Sequence, residues 1–586
     1  MIDFDAAKDN ALEVLRKWYD IEVLENNSND IPKSYKLSRY WLVKLPVDSS
    51  VFGSNQLNLI AGLPKEFPLV LPKIFLSKNY EGIILTLPHV DQNRFICTYD
   101  EERAVPNPGV PADQIQCCLL KAKKIIEAGL KRENYEDYKE EFVAYWQQTY
   151  DDEEEVNKRI LSSINEELTI ADKVDLFVLN KSLGYFDSVV LGKCEYSNQF
   201  RKFLNDWKYE YSEYQAFYAG SLNFGTPPHN LRNQDLNKLI LQKEKRFQDQ
   251  FFAFLKRNQN LKIILFDAGI EGHMNLHGLR IDELPSSVNG FRKGALTAKQ
   301  AFQQIASNNK IQRISLMPIH SKRLQMRTVG VVDEAKKANR FAIAGLGSIG
   351  SNLMYFLSSF SNPAFHITDP EGLETDNIAR HFLGLLNTGQ SKVSGLKHFF
   401  QHSNPNIQIE ASIESIIKII DEKSDDLNTY DMLFICIGKW NIEQWIADAL
   451  KAGKLTIPVS FIWVEPYLLG GHALYVHPEA NHFQEFFDKQ NFFHQNVISS
   501  DEYNDPKQML SLRESGCQST YRPYSKEKVI MFLSKLFPQL KYWISVKPKM
   551  SESFTWIGYD KEGLKGKIKL SEWVTKHESD ISIITK

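Results

Sequence analysis

The chain has 586 residues, of which 43% are hydrophobic, 24% charged and 12% aromatic, and its formal net charge is −3. This length predicts three or four domains, and the near-neutral charge excludes the broad basic field that attracts nucleic acids or anionic membranes. No apolar run approaches the roughly 20 residues that span a bilayer, and the start "MIDFDAAKDN" lacks the basic and apolar regions of a signal peptide.

Residues 1–150 predict a first domain of mixed α and β structure. An amphipathic helix at about 6–19 precedes three stretches, "YWLVKLPV", "LNLIAGLP" and "LPKIFLS", that predict strands. Another helix is predicted over about 112–128. The acidic, tyrosine-rich stretch "ENYEDYKEEFVAYWQQTYDDEEEVNK" is interpreted as a solvated helix that leads into a linker.

Residues 151–320 predict a linker and a middle α/β domain. The stretches "KVDLFVL", "DSVVLG" and "LKIILFD" predict strands with helices between them. No motif that carries chemistry is present in this region.

Residues 321–586 alternate strands and helices, and "RFAIAGLGSIGSNLMYFLSSF" predicts a buried strand, a glycine turn and a helix. Gly345, Gly347 and Gly350 match G-x-G-x-x-G, a context in which backbone N–H groups receive phosphate. Asp369 ends the next predicted strand, where a carboxylate accepts hydrogen bonds from ribose hydroxyls. These features alone indicate a nicotinamide or flavin dehydrogenase.

The residues after Asp369 favour ATP instead. Asn377, Arg380 and Lys392 follow within one short stretch. Hydride transfer gives these side chains no task, whereas a triphosphate attacked at its α-phosphorus needs cations to offset the charge on the phosphates.

The stretch from Gly345 to Ile409 resembles the ThiF-type adenylation domain of ubiquitin-activating enzymes and bacterial sulfur-carrier adenylating enzymes. "GQSK" and "NPNI" match motifs of that family, and "KRLQMRTVG" resembles its arginine-bearing segment. The resemblance implies a Rossmann-like domain that binds ATP and Mg²⁺, forms a homodimer and adenylates a C-terminal carboxylate. It assigns nucleotide binding to Asp369, Glu371, Asn377, Arg380 and Lys392, and it assigns to Arg323 or Arg327 a contact with the partner's ATP.

One position departs from the family. An aspartate that helps to hold magnesium usually follows the strand "YDMLFICIG", but Gly438 and Lys439 stand there. Either Glu371 or another carboxylate takes over, or phosphate holds most of the metal, so the metal ligands stay unassigned.

The cysteines at 97, 117, 118, 194, 436 and 517 form no C-x-x-C pair, which argues against structural zinc and a disulfide framework and favours a reducing cytoplasm. Cys517 lies in the loop "RESGCQSTYRPYS" before a predicted helix, where a helix dipole and nearby arginines stabilise a thiolate. In ubiquitin-activating relatives a cysteine in this region takes the acyl group as a thioester. Cys117, Cys118, Cys194 and Cys436 are interpreted as small buried hydrophobic residues.

Cys97 lies in a stretch, "EFPLVLPKIFLS" followed by "LPHVDQNRFICTYD", that resembles the core of ubiquitin-conjugating enzymes. Pro88 matches the proline of that family's His-Pro-Asn motif, and His89 replaces its oxyanion-supporting asparagine. An imidazole can donate the same hydrogen bond, although a loop-ordering hydrogen bond is an equal alternative for His89.

The order of the two domains resembles the fused activating–conjugating enzymes of bacterial type II CBASS anti-phage operons, in which the middle region is a linker and a degenerate adenylation-like domain. The resemblance implies a client carboxylate activated with ATP, a thioester on Cys517, transthiolation to Cys97 and transfer to a lysine of a target. The client of that family is a cyclic-oligonucleotide synthase related to cyclic GMP–AMP synthase. Three alternatives stay open: a sulfur-carrier adenylating enzyme, a dehydrogenase and a non-catalytic nucleotide-binding scaffold.

Overall fold

The computed structural model describes most of the chain and divides it into two compact units, residues 1–319 and 320–586, beside the predicted boundary at 320/321. The described residues are 3–25, 28–32, 35–80, 87–91, 93–134, 136–138, 141–142, 146, 158–194, 197–224, 231–257, 259–268, 276–285, 296–326, 339–360, 362–480, 482–504, 510–513, 520–558, 566–578 and 580–585. The chain is a multidomain α/β protein, as predicted.

The first unit begins with a five-stranded antiparallel sheet in the order β1-β2-β3-β4-β5. Its strands are β1 (Asp20–Leu24), β2 (Arg39–Pro46), β3 (Gln56–Leu63), β4 (Lys73–Leu76) and β5 (Phe95–Ile96), and its helices are α1 (Phe4–Leu15), α2 (Ser49–Phe52) and α3 (Pro111–Lys131). One core joins the sheet to α1 and α3, and Trp41, Leu59 and Ile115 are fully buried in it. The strands and helices predicted here are confirmed.

Seven further strands of the first unit close into a barrel, in the order β10-β11-β12-β6-β8-β7-β9. They are β6 (Lys158–Ser162), β7 (Lys173–Leu183), β8 (Phe186–Gly192), β9 (Tyr211–Ser221), β10 (Lys262–Asp267), β11 (Leu276–Ile281) and β12 (Gln312–Pro318). The helical segments of this region are α4 (Asn198–Asp206), α5 (Asn233–Leu241), α6 (Lys245–Leu255) and α7 (Ala298–Gln300), which continues as a π turn over Ala301–Ile305.

Apolar side chains such as Val174, Leu265 and Ile314 form one packed cluster of the barrel strands. Phe217 and Ile264 instead pack in a second cluster with aromatic residues of α6. The region therefore contains both strands and helices, while its separation as a middle domain stays a prediction. Its mixed, closed sheet differs from the open sheet of the second unit, and the resemblance of this region to a degenerate adenylation domain stays a prediction.

The stretch 133–158 is not simply a solvated linker. Trp146 is fully buried, its Nε1 donates to the carbonyl of Ile314 at 2.9 Å, and its ring stacks on Phe142 at 5.6 Å between centroids. The solvated-helix interpretation is wrong for these two residues, because aromatic burial against the barrel outweighs the acidic character of the stretch.

The second unit is built on an eight-stranded sheet in the order β15-β14-β13-β16-β17-β18-β21-β22. The sheet strands are β13 (Arg340–Ala344), β14 (Ala364–Thr368), β15 (Gln408–Ser412), β16 (Met432–Ile435), β17 (Val459–Val464), β18 (Gly470–Val476), β21 (Glu552–Ile557) and β22 (Ser582–Thr585), and β19 (Leu512–Arg513) pairs with β20 (Thr520–Tyr521) separately. The helices are α8 (Ser321–Leu324), α9 (Ser348–Leu357), α10 (Lys392–Ser403), α11 (Ile416–Leu427), α12 (Trp440–Lys451), α13 (Ser500–Asn504) and α14 (Lys526–Val546).

The first five strands of this sheet are parallel, and the strand order reverses between β13 and β16. Such a switch point opens a crevice at the carboxyl ends of the two strands, where α/β sheets bind ligands. The glycine turn follows β13 at this crevice, and residues 436–439 follow β16. Within the described parts of the chain, no helix has the length and apolar character needed to cross a membrane.

Candidate functional site

The glycine turn is as tight as its sequence predicts. Gly345 has a φ of +85°, in the left-handed region that side chains rarely adopt, and a Cβ there would lie 2.8 Å from the carbonyl oxygen of Cys436. A Cβ at Gly350 would lie 2.0 Å from the carbonyl oxygen of Gly345. A Cβ at Gly347 would meet no described atom within 4 Å. Two glycines therefore allow the turn to close, while the third borders open space.

Asp369 accepts hydrogen bonds from the backbone of the glycine turn and of the loop after β14. Its Oδ2 accepts the Leu346 N–H at 2.6 Å and its Oδ1 accepts the Glu371 N–H at 2.8 Å. Each carboxylate oxygen has a further lone pair, so Asp369 can still accept from a ribose hydroxyl.

Arg380 lies beside the first turn of α9. Ser348 Oγ and Asn352 Nδ2 each donate to its carbonyl oxygen at 3.2 Å, and Nε2 of the next residue, His381, is 2.8 Å from the Leu346 carbonyl. The Arg380 guanidinium stacks over the ring of Tyr524 at 5.3 Å. No described carboxylate forms an ion pair with it, so its charge remains available to an anion.

Lys392 and Asn377 make local contacts in the structure. Lys392 Nζ is 2.6 Å from Glu371 Oε2, and this hydrogen bond lowers the pKa of the Glu371 carboxyl below its usual value. The Lys392 side chain is only 5% exposed. The Asn377 side-chain oxygen accepts the Glu374 N–H at 3.1 Å and caps a short 3₁₀ turn.

The sequence did not single out Glu443 and named Lys439 only as a departure. Gly438 donates its N–H to Glu443 Oε1 at 3.0 Å, and burial raises the pKa of this carboxyl to about 7. Lys439 occupies the N-cap position of α12 without a side-chain capping bond, although a cation opposes the dipole there. Lys439 also acts electrostatically on Glu371. A residue that breaks a local rule marks a candidate functional position, and Lys439 could have been found by that signal.

The metal prediction receives no support from a cluster of protein ligands. In the described part of the chain, no group of three or more His, Cys, Asp and Glu side chains is placed to hold a metal ion. The carboxylates nearest the glycine turn are instead used by backbone N–H groups or by Lys392.

Arg323 is described, whereas Arg327 lies outside the described residues. Arg323 is on α8, and nearby Gln325 donates from Nε2 to the carbonyl of Phe360, beyond the C-terminal end of α9. The ten residues of α9 separate that end from the glycine turn by about 15 Å. Arg323 therefore stands at the far end of the helix from its own glycine turn.

Cys517 lies outside the described residues, but the chain after it reaches the glycine-turn site. Tyr524 stacks under Arg380, and Lys526 Nζ donates to the carbonyl of His381 at 3.0 Å. Tyr524 is seven positions after Cys517 in the chain, and seven such steps span at most about 25 Å when fully extended.

Cys97 follows β5 in the first unit and is exposed. Its N–H donates to the carbonyl of His89 at 2.8 Å. Both ring nitrogens of His89 already contact carboxylates: Nε2 is 2.9 Å from Asp137 Oδ2, and Nδ1 is 2.6 Å from Glu141 Oε1. An oxyanion contact from the His89 ring would require that one of these bonds break.

The electrostatics around Cys97 favour the protonated thiol. The hydrogen bonds that the His89 ring donates to Glu141 and to Asp137 raise the pKa of His89 to about 9 against the opposing effect of burial. Partial burial raises the pKa of the Cys97 thiol, and the charges of Glu141, Glu101 and Asp100 raise it further, whereas Lys73 opposes them.

The remaining cysteines do not share one environment. Cys118 is buried and Cys436 is half-buried, as small hydrophobic residues are, but Cys117 and Cys194 are exposed. The prediction of burial is wrong for these two because their helical and strand contexts do not by themselves specify which face is covered.

Two family models match the chain. Residues 320–504 match the ThiF family, and residues 33–154 match the prokaryotic E2 family B. The first match contains the glycine turn with Arg380 and Lys392, and the second contains His89, Cys97 and Glu141. The predictions of an activating-enzyme-like and a conjugating-enzyme-like domain in one chain are confirmed.

Two curated relatives match shorter stretches. Over 224 residues the chain is 24% identical to the ATP-dependent ubiquitin transferase-like protein Cap2 of Enterobacter hormaechei subsp. hoffmannii (strain UCI 50), a match that covers 36% of each protein. Over 137 residues it is 25% identical to the ubiquitin-like modifier-activating enzyme 5 of Xenopus laevis, covering 22% of this chain and 32% of that protein. The chain thus spans about a third of the length of the curated relatives it matches.

A crystal structure of PaaA is 15% identical, with a TM-score of 0.29, and the match covers 47% of this chain and 75% of that one. This score is too low for a comparison of the folds.

Proposed function

We propose that this chain, a fusion of a ThiF-family domain with a prokaryotic E2-like domain, uses ATP to activate a protein carboxylate and relays the acyl group between two cysteines. The carboxylate attacks the α-phosphorus of ATP and pyrophosphate leaves. The Cys517 thiolate then attacks the activated carbonyl and AMP leaves. Cys97 takes the acyl group by transthiolation, and a lysine amine of a target displaces Cys97.

The observation that carries the first step is the group of cations around the glycine turn. Arg380 and Lys439 have no ion-pair partner among the described residues, and Lys392 stands beside them against Glu371. The Arg380 carbonyl accepts a hydrogen bond from the first turn of α9, and Lys439 follows β16 at the strand switch point. The N-terminal N–H groups of α9, which can receive phosphate, begin at the same switch point. A triphosphate supplies the negative charge that these side chains lack, whereas a dinucleotide supplies less.

The second step, attack by Cys517, is supported by the short length of chain between Cys517 and residues of the glycine-turn site. Tyr524 and Lys526 anchor the segment after Cys517 to Arg380 and His381. Because Cys517 is only seven positions before Tyr524 in the chain, bringing its thiol to a carbonyl activated at the glycine turn requires a short loop to close, at a small entropic cost.

Homodimer formation is supported by the place of Arg323. Arg323 lies near the C-terminal end of α9, and the glycine turn of the same chain lies at the other end, about 15 Å away. This distance exceeds the reach of an arginine side chain. We propose that Arg323 or Arg327 contacts ATP bound by a second copy. Mixing Arg323→Ala with Arg380→Ala protein tests this, because one intact site should reappear only when the two arginines act across the dimer.

For Mg²⁺, the described residues fit an ion held chiefly by phosphate oxygens and water. Mg²⁺ needs only one or two carboxylates in such sites, and Glu371, with a side chain 67% exposed, is the candidate. The protein's own contribution is the neutralisation of phosphate charge by Arg380, Lys392 and Lys439.

The client and the biological setting are proposed from the resemblance to CBASS enzymes and from the similarity to Cap2. We propose a cyclic-oligonucleotide synthase with a free C-terminal carboxylate as the client, a lysine-bearing protein as the acceptor, anti-phage defence as the role and the cytoplasm as the location. The E2-like domain counts against a sulfur-carrier adenylating enzyme without conjugation.

Nucleotide binding by isothermal titration calorimetry is the test. Wild-type protein should bind ATP in preference to NAD⁺, and Arg380→Ala and Lys439→Gln should weaken ATP binding at least about tenfold. Lys451→Gln, which removes an exposed cation from the other end of α12, is the matched control and should bind as wild type does. Preferential binding of NAD⁺ would favour the dehydrogenase, and absence of any nucleotide binding would favour the scaffold.

A further inference from the structure

We propose that Asp137 and Glu141 are part of the Cys97 site, acting as positioning residues that hold His89 as a cation beside Cys97. This inference rests on the proposed role of Cys97 as an acyl acceptor. It concerns the stretch that the sequence analysis interprets only as a solvated helix leading into a linker.

The hydrogen-bond pattern fixes the charge of His89. An ionised carboxylate only accepts hydrogen bonds, and each ring nitrogen of His89 lies within 2.9 Å of a carboxylate oxygen. Two ionised carboxylates on the two ring nitrogens favour the ring that carries a proton on each nitrogen, which is an imidazolium. The side chains of His89 and Glu141 are 26% and 23% exposed, so water weakens these interactions only in part.

The same segment fixes the backbone next to Cys97. His89 has a φ of +62°, which is strained for a residue with a Cβ. Its N–H donates to Glu141 Oε2 at 3.0 Å, and its carbonyl oxygen accepts the Cys97 N–H at 2.8 Å. Glu141 thus contacts both the ring and the backbone N–H of His89, whose carbonyl oxygen is hydrogen-bonded directly to Cys97.

The barrel anchors the residue next to Glu141. Phe142 directly follows Glu141 and stacks on Trp146, and both rings contact Phe266 of β10. Trp146 is fully buried and hydrogen-bonded to Ile314 of β12. The barrel and the Cys97 site are therefore connected through a few residues of one segment.

The charges that act on Cys97 predict whether each substitution raises or lowers the pKa of its thiol. Glu141, Glu101 and Asp100 disfavour the thiolate, and Lys73 favours it, while the clasp of Asp137, Glu141 and His89 sums to one negative charge. Removal of Glu141 brings that sum to zero and favours the thiolate. Removal of His89 leaves two negative charges and disfavours it. A merely structural role would instead change the reactivity of Cys97 in the same direction in both variants.

The test is the pH dependence of iodoacetamide alkylation at Cys97, followed by mass spectrometry of its peptide in the full-length protein. We expect Glu141→Gln to lower the pKa of Cys97 and His89→Gln to raise it, each by about half a unit, which changes the thiolate fraction about threefold in opposite directions. Glu133→Gln is the matched control: it removes the same charge from an exposed position of the same region and should leave the pKa unchanged.

Shifts in the same direction, no shift in either variant, or an equal shift in Glu133→Gln would overturn the proposal. Thermal unfolding reports whether each variant is folded. If Glu141→Gln does not fold, Asp137→Asn replaces it, and this variant should also lower the pKa of Cys97. Alkylation needs neither ATP nor a client, so its outcome is independent of whether the acyl relay operates.

Discussion

The two candidate sites of this chain have opposite electrostatics. In the second unit, Arg380, Lys392 and Lys439 are the cations of the glycine-turn site, whereas in the first unit the charges of Glu141, Glu101 and Asp100 act on Cys97. Cations suit the phosphates of a nucleotide, and carboxylates suit the approach of a protonated amine. The comparison supports the proposal that one site receives a nucleotide and the other an amine, and it shows that an exposed cysteine need not be a thiolate.

The strongest way to break this comparison is to remove Arg380. Arg380→Ala should reduce pyrophosphate release in the presence of a client carboxylate by about 100- to 1000-fold, because a preorganised cation stabilises the charge that develops on the phosphates. The measurement is a coupled pyrophosphate assay, with Lys451→Gln as the control at wild-type rate. A loss below tenfold would show that Arg380 does not face the phosphates.

The glycine turn offers a paired test of packing against binding. Gly350→Ala should cost about 3 kcal/mol in the free energy of unfolding, because its Cβ would lie 2.0 Å from the Gly345 carbonyl oxygen. Gly347→Ala should leave stability nearly unchanged, since its Cβ meets open space, but should weaken ATP binding there. Urea titrations of the two variants measure the first effect. If the two variants were destabilised equally, the space beside Gly347 would not be open, and it could not be assigned to the nucleotide.

The His89 clasp predicts a pH-dependent stability. The pKa of His89 is raised to about 9 in the folded state, so its contribution is fully present below the unfolded value of about 6.5 and is lost as pH rises through 9. We expect His89→Gln to cost on the order of 2 kcal/mol at pH 6, allowing for partial exposure, and close to nothing above pH 9.5. Urea titrations of wild type and variant at both pH values measure it. A constant difference would mean that His89 is not a cation.

The smallest expected effect concerns Glu443. Its pKa is raised to about 7 by burial, so ionisation opposes folding progressively from about pH 4.5 to 7 and fully above that. Glu443→Gln should therefore be more stable than wild type by about 1 kcal/mol at pH 8 and equal to it at pH 4.5. Equal stability at both pH values would show that Arg522 and the Gly438 N–H compensate the charge in full.

The two regions also differ in how far their sequence predicts them. The glycine-turn site could be predicted because G-x-G-x-x-G, Asp369 and Arg380 lie close together in the sequence. Short-range patterns of this kind indicate local geometry. The clasp could not be predicted, because His89 and Glu141 meet across 52 residues and nothing local marks their contact. The barrel likewise depends on non-local pairing of β6 with β12. Lys439 was visible in the sequence only as a departure, and its place beside Glu371 required the fold.

The most direct test of the relay is a non-reducing gel of the protein with ATP, Mg²⁺ and a cyclic-oligonucleotide synthase client. The same client lacking its C-terminal residues is the control, and wild type is compared with Cys517→Ala and Cys97→Ala. The account predicts a reductant-sensitive, ATP-dependent adduct that is absent from Cys517→Ala and persists on Cys517 in Cys97→Ala. An adduct that forms on Cys97 in Cys517→Ala, or no adduct in protein shown to bind both ATP and the client, would contradict it.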